Sequence, residues 1–193
     1  TPLNSSIPMP KMTILFTSAS TTRHLTAPGM VTLNSMYPPE NIEMPETVGH
    51  WCEGQPPSLL TQSCGQMGLG QLREEYREGW SAYFGMVTMI DDCVGRIINA
   101  LKEKGIYDNA LIIFSSDHGE MLGCHHLMQK HCCYEEASHL PLLVKPPGSS
   151  SGTRTQLVNA VDYTPTVCDY AGLEPPNGAQ GHSYRPVVEN ENT

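Results

Sequence analysis

The sequence predicts an α/β layer architecture, and three observations carry that prediction. Two apolar runs of strand length, "NALIIFSS" (109–116) and "LPLLVK" (140–145), show no polar alternation. Residues 71–104 repeat apolar side chains at steps of three and four. A shorter stretch, "VDYTPTVCDYAGL" (161–173), has the start and stop residues of a helix.

At 193 residues the chain is long enough for one sizeable core, or for one large piece of a bigger one. A formal net charge of −9, with only 11 Lys and Arg, argues against a general nucleic-acid partner, because phosphate binding needs basic patches. No run approaches the roughly 18 apolar residues of a spanning helix, and no basic, apolar leader opens the sequence. The seven cysteines form no CxxC pair, and their odd number leaves at least one thiol unpaired within the chain. Asn4-Ser5-Ser6 is the only glycosylation triplet, a pattern that often arises by chance.

In chain order, "MTILFTS" (12–18) is the first strand. Pro, Asn and Thr then break any period, and the reading through residue 70 is loop-like. The glycines of "GQMGLGQ" do not make a phosphate loop, since no Lys-Ser or Lys-Thr follows them. Residues 71–104 form one long amphipathic helix or two abutting ones, ended by Gly105. Asp91 lies on the apolar stripe between Val87 and Val94, where it is expected to need a buried partner; Asp92 lies at the edge. The two apolar runs read as strands buried on both faces, as in a parallel sheet. In the last helix Asp162 or Thr164 caps the start, Pro165 fits the first turn, and Gly172 lies beyond the end. Residues 176–193 read as a tail.

Between the two apolar strands lies "SSDHGEMLGCHHLMQKHCCYEE" (115–136), dense in ionisable groups. In α/β sheets ligands collect at the carboxyl ends of strands, which is where Asp117 and His118 stand. A carboxylate beside an imidazole suits a divalent ion, although two protein ligands are too few to hold one. The same pair also fits an Asp capping the next turn beside a surface histidine. Lys130, folded back toward such a site, would neutralise an anionic oxygen; on its own a lysine is most often a solvated charge. Cys132 and Cys133 are adjacent, unsuited to a mutual disulfide, and read as packing residues.

The stretch "YFGMVTMIDDCVGRIINALKEKGIYDNALIIFSSDHGEMLGCHHLMQKHCCYEEASHLPLLVKPPG" resembles the sulfatase family of the alkaline-phosphatase superfamily, and "NAVDYTPTVCDYAGL" resembles a later motif of that family. Five motifs stand in the family's order over roughly residues 70–175. The resemblance implies an alkaline-phosphatase-like layered α/β/α sheet that is incomplete here. Residues 1–70 would be loop-rich with one strand, and 71–175 a core of helix, strand, metal loop, strand and helix.

By the same resemblance, Asp117 and His118 match the pair that ligates an active-site Ca2+ or Mg2+, with His118 where many members have Asn. Lys130 matches the lysine that contacts the sulfate ester oxygens, and His125 a substrate-side histidine at the pocket rim. Members usually carry Asp or Glu at the position of Cys124 and Gly at that of His126. Where a pocket histidine normally stands near the front, Thr22 aligns, and His24 falls two residues late. Sulfatases act through a formylglycine made from the Cys or Ser of a C/S-x-P/A-x-R motif, and none of the seven cysteines has that context.

The implied reading is a sulfuric ester hydrolase fragment whose complete form acts on a small-molecule or carbohydrate sulfate ester. It is expected to be inactive and only marginally stable alone, since a sheet without its N-terminal strands bares an edge. The alternatives are a phosphate or phosphonate ester hydrolase of the same superfamily, or a non-catalytic sulfatase-like binding module. Secretory, lysosomal and periplasmic settings all suit the resemblance.

Overall fold

A computed structural model describes residues 13–16, 35–148 and 151–189 of the chain. Thr22, His24 and the Asn4 triplet lie outside the described residues. Two compact units divide it, one holding residues Ile98–Ser115 and 142–189 with the first strand, the other residues 35–97 and Ser116–Pro141.

The first unit is built on a three-stranded sheet in the order β1 (Thr13–Phe16), β2 (Ile112–Ser115), β3 (Leu142–Lys145). β1 pairs with β2 in parallel, Thr13 opposite Ile112, while β3 runs antiparallel to β2, Ile112 opposite Lys145. The β2 run reads as buried on both faces, and it is: Ile113 and Ser115 are fully buried and Ile112 nearly so. β3 departs from the expectation. It is an antiparallel strand at the sheet's edge among the described residues, and Leu143 is 66% exposed, because an edge strand covered on one face keeps only alternate side chains inside.

Leu111 and Ile113 pack with Tyr170, Leu142, Val144 and Val167 to form this unit's core. Tyr170 and Val167 come from the helix Tyr163–Ala171, which carries Pro165 in its first turn and ends on Gly172 in the left-handed conformation, φ 67°. Asp162 stands at the N-cap as expected, but its carboxylate accepts from the backbone N–H of Asn159 and of His182. The segment read as a tail is packed structure. The helix Arg185–Glu189 follows Tyr184, whose backbone N–H reaches Thr166 and whose ring is 4% exposed, and Arg185 pairs with Asp169 at 3.2 Å.

In the second unit the stretch read as loop contains two short helices, α1 (Ser58–Thr61) and α2 (Ser63–Gly68). Glycines and prolines hid them from a periodicity reading. The long helix, α3 (Tyr76–Glu103), follows a single 3-10 turn at Arg73–Glu75, and its residues up to Ile97 belong to this unit. Its buried positions are Tyr76, Ser81, Ala82 and Gly85, all in the first three turns. Asp91 is therefore exposed rather than buried with a partner, and so is Val87. The face this helix buries carries Tyr76, with Trp80 packed beside it, and the small residues Ser81, Ala82 and Gly85. Continuing the chain-order numbering, α4 is Glu135–Ser138, α5 the Tyr163 helix and α6 the Arg185 helix. Among the described residues, no helix is long and apolar enough to cross a membrane.

Candidate functional site

The chain leaves β2 at Ser115 and enters the polar segment, which belongs wholly to the second unit. Three backbone pairings fix its course. Gly119 N–H donates to Ala137 O and Glu120 N–H to Glu136 O, each at 2.9 Å, so the segment is sewn to α4. Met121 N–H donates to Gln129 O at 2.8 Å, closing the excursion between them. Gly119 is required by space: a Cβ there would lie 1.9 Å from the Glu136 carbonyl oxygen. Gly123 combines φ 87° with a tyrosine ring, Tyr76, where a Cβ would stand.

Asp117 is exposed and its Oδ1 accepts from His118 N–H at 3.1 Å. His118 is half-buried, and its Nδ1 lies 2.8 Å from the Gly119 carbonyl oxygen. A carbonyl can only accept, so Nδ1 carries the proton and Nε2 presents its lone pair. That lone pair stands 3.6 Å from Asp117 Oδ2. Two acceptors facing each other at this distance suit a shared cation. A backbone carbonyl holding the far nitrogen is also the arrangement that orients metal-ligating histidines. Among the described residues no group of three or more His, Cys, Asp or Glu side chains is placed to hold a metal, so the pair is at most part of a ligand set.

Lys130 is half-buried and follows directly on the closure at Gln129. Gln129 N–H donates to Glu120 Oε1 at 2.6 Å, and that oxygen also receives Leu122 N–H. Glu120, which composition alone does not single out, is thus the clamp at the base of the loop.

His125 occupies a more enclosed place than a rim residue facing solvent. Its side chain is 11% exposed, with Nε2 at 3.2 Å from Glu136 Oε1 and Nδ1 at 2.7 Å from Cys52 Sγ. The ring stacks on Tyr134 with centroids 4.1 Å apart. Cys124 beside it is buried and pairs with Val48 in an isolated antiparallel bridge; burial pushes its thiol pKa up. His126 adopts φ 63° and meets the Tyr76 hydroxyl through Nδ1 at 3.3 Å. Cys132 packs on the unit's core as expected, whereas its neighbour Cys133 is exposed, which corrects the packing reading for that residue. All seven cysteines are thiols in the structure.

Sequence reasoning passed over Cys52, Glu120 and Tyr134 as site residues. Glu136 was within reach, because it is the second acid of the "YEE" motif.

A profile of the sulfatase family matches residues 70–173. An N-acetylglucosamine-6-O-sulfatase from Bacteroides thetaiotaomicron is 36% identical over 119 residues, covering 61% of this chain and 21% of that protein. Among solved structures, a phosphonate monoester hydrolase from Silicibacter pomeroyi aligns with a TM-score of 0.68 and 32% identity, covering 81% of this chain and 33% of that one. Another, solved in complex with its substrate D-glucosamine-2-N,6-O-disulfate, aligns at 0.55 and 34% identity over 65% of this chain and 27% of its own. The alkaline-phosphatase-like fold is shared with these structures. The chain thus spans about a fifth of the length of the curated relative and about a third or less of these solved chains.

Proposed function

Since the chain belongs to the sulfatase family, we propose that the complete protein hydrolyses sulfate esters and that this segment supplies half of its anion-binding site. The observation that carries the proposal is the pairing of His118 Nε2 with Asp117 Oδ2 at 3.6 Å, with Nδ1 tied to the Gly119 carbonyl. The pair suits a divalent cation; the Asp117 carboxylate is the oxygen ligand that Ca2+ or Mg2+, the family's ions, would take, and the remaining oxygen ligands come from outside this pair. The family generally uses such a cation, which draws charge from the ester oxygens, together with a formylglycine nucleophile.

Asp117 contributes a charged oxygen, and His118 a neutral nitrogen oriented by the backbone. Lys130 brings an ammonium to the sulfate ester oxygens, where it stabilises the negative charge that builds in the transition state. The closure from Glu120 to Gln129 fixes where the Lys130 side chain begins. His125, with both ring nitrogens engaged, serves the substrate side by holding the rim of the loop in place.

A sulfated carbohydrate is the substrate class we favour, because the glucosamine sulfates named for two relatives point that way. A phosphonate monoester is the second reading, favoured by the phosphonate hydrolase that aligns over 81% of the chain.

The test is made in the complete protein, with an aryl sulfate and an aryl phosphonate monoester compared side by side. Lys130→Ala is expected to lower turnover of the sulfate by about 100-fold or more. Unchanged turnover would remove Lys130 from the mechanism, and preference for the phosphonate would establish the second reading. Calorimetry with CaCl2 tests the cation pair separately: Asp117→Asn should weaken binding, and equal affinity in wild type and variant would exclude Asp117 as a ligand.

A further inference from the structure

We infer that Cys52 is a nucleophilic thiol, served by His125 as its base and Glu136 as the carboxylate that orients that base, and open to exchange with small uncharged disulfides. The Glu136 carboxylate can only accept, so the contact at 3.2 Å puts the imidazole proton on His125 Nε2. Nδ1 then presents its lone pair to Cys52 Sγ at 2.7 Å, the placement needed to take the thiol proton. The order nucleophile, base, orienting acid is that of a catalytic triad, recognised by geometry rather than by sequence position.

Two further features hold the arrangement rigid. Tyr134 lies flat on the imidazole with an interplanar angle of 16°, so the ring cannot tip away from the thiol. Gln55, 6% exposed, accepts the Cys52 N–H through Oε1 and donates through Nε2 to the His125 carbonyl, both at 3.3 Å. Cys52 itself is half-buried and within reach of a small molecule, whereas Cys64 and Cys124 are sealed inside the core.

In the exchange, Cys52 Sγ attacks one sulfur of the incoming disulfide as its proton passes to His125 Nδ1. The reagent's S–S bond breaks and a new one forms to Cys52. The departing thiolate takes the proton from His125, so Cys52 is oxidised and the leaving sulfur reduced, with atoms and charge in balance.

The complete protein, treated with limiting 4,4′-dithiodipyridine and mapped by peptide mass, tests this directly. Cys52 is expected to react about tenfold or more faster than the exposed Cys93 and Cys133, which serve as internal references. His125→Gln and Glu136→Gln should each slow Cys52 by about tenfold or more while the Cys93 rate holds. A Cys52 rate no higher than that of Cys93 in the wild type would overturn the inference, and this comparison stands even if a variant fails to fold. A Cys52 rate untouched by both substitutions, in variants with native circular dichroism, would overturn it equally.

Discussion

The backbone N–H of Gln129 donates to the Glu120 carboxylate at 2.6 Å, joining the two ends of the excursion that leads to Lys130. Glu120→Ala strands that donor and a second one at Leu122. The expected cost is about 1–3 kcal/mol of stability, because a backbone donor left without its partner loses its full compensation. In the complete protein it should also lower aryl-sulfate turnover, by less than Lys130→Ala does. Denaturant titration and steady-state assay check both, and a variant matching wild type in each would deny Glu120 its clamping role.

Gly119 faces the Glu136 carbonyl oxygen so closely that a methyl group has no room, the built Cβ falling 1.9 Å away. Gly119→Ala must displace backbone on one side or the other, which also breaks the Gly119–Ala137 hydrogen bond. A loss of about 1–3 kcal/mol or more is expected from the unfolding midpoint, together with weakened calcium affinity, since His118 Nδ1 leans on the same residue. An unshifted midpoint would show that the segment yields more easily than its hydrogen bonds suggest.

His126 stands at φ 63°, a left-handed position usually left to glycine, and its side chain meets the Tyr76 hydroxyl while its N–H donates to the Gly123 carbonyl. A β-branched residue suffers most there, so His126→Val should cost about 1–2 kcal/mol. His126→Gly trades the hydrogen bond for relaxed backbone and should fall within about 1 kcal/mol of wild type. Thermal melts of the two variants decide it: Val at least as stable as Gly would contradict the backbone argument.

Burial pushes the Tyr170 hydroxyl up to about 12, and it pushes that of Tyr184 up as well, from an ordinary value of 10. A raised value in the folded state favours the protonated form, so this contribution is intact below pH 10 and is lost as pH climbs toward 12. Tyrosinate absorbance and circular dichroism followed together should show these two rings ionising only as the fold is lost. Ionisation near pH 10 with the fold intact would be the contrary result. Among the described residues the Tyr184 hydroxyl has no hydrogen-bond partner, so Tyr184→Phe should stabilise by about 1 kcal/mol, whereas a destabilised variant would point to a partner the hydroxyl needs.

The α/β class, the β2 strand, the long helix and the Gly172 stop were legible because each depends on a local pattern: an apolar run, a 3.6-residue period, or a residue suited to a left-handed turn. β3 was legible as a strand but not in its direction, since strand orientation is a property of partners far away in sequence. The buried face of α3 was legible at its start, where Tyr76 and Trp80 meet the core, but the periodicity carries it too far, past Gly85 to the exposed Val87. Periodicity weights large side chains and so passes over Ser81, Ala82 and Gly85, which are buried together with Tyr76. At the site, Asp117, His118, His125 and Lys130 stood out through residue type and motif. Cys52 and Gln55 did not, because their link to His125 spans some seventy positions of unpatterned chain.

Within eight positions, Leu122, Gly123, His125, His126 and Gln129 all take positive φ, and hydrogen bonds fasten both ends of the stretch. Each of those residues must meet its own torsion at its own place in the count. Removing or adding one residue would hand every later torsion to the wrong neighbour and carry Lys130 out of phase with its anchor. The stretch can therefore change its chemistry through substitution, while insertions and deletions are barred to it.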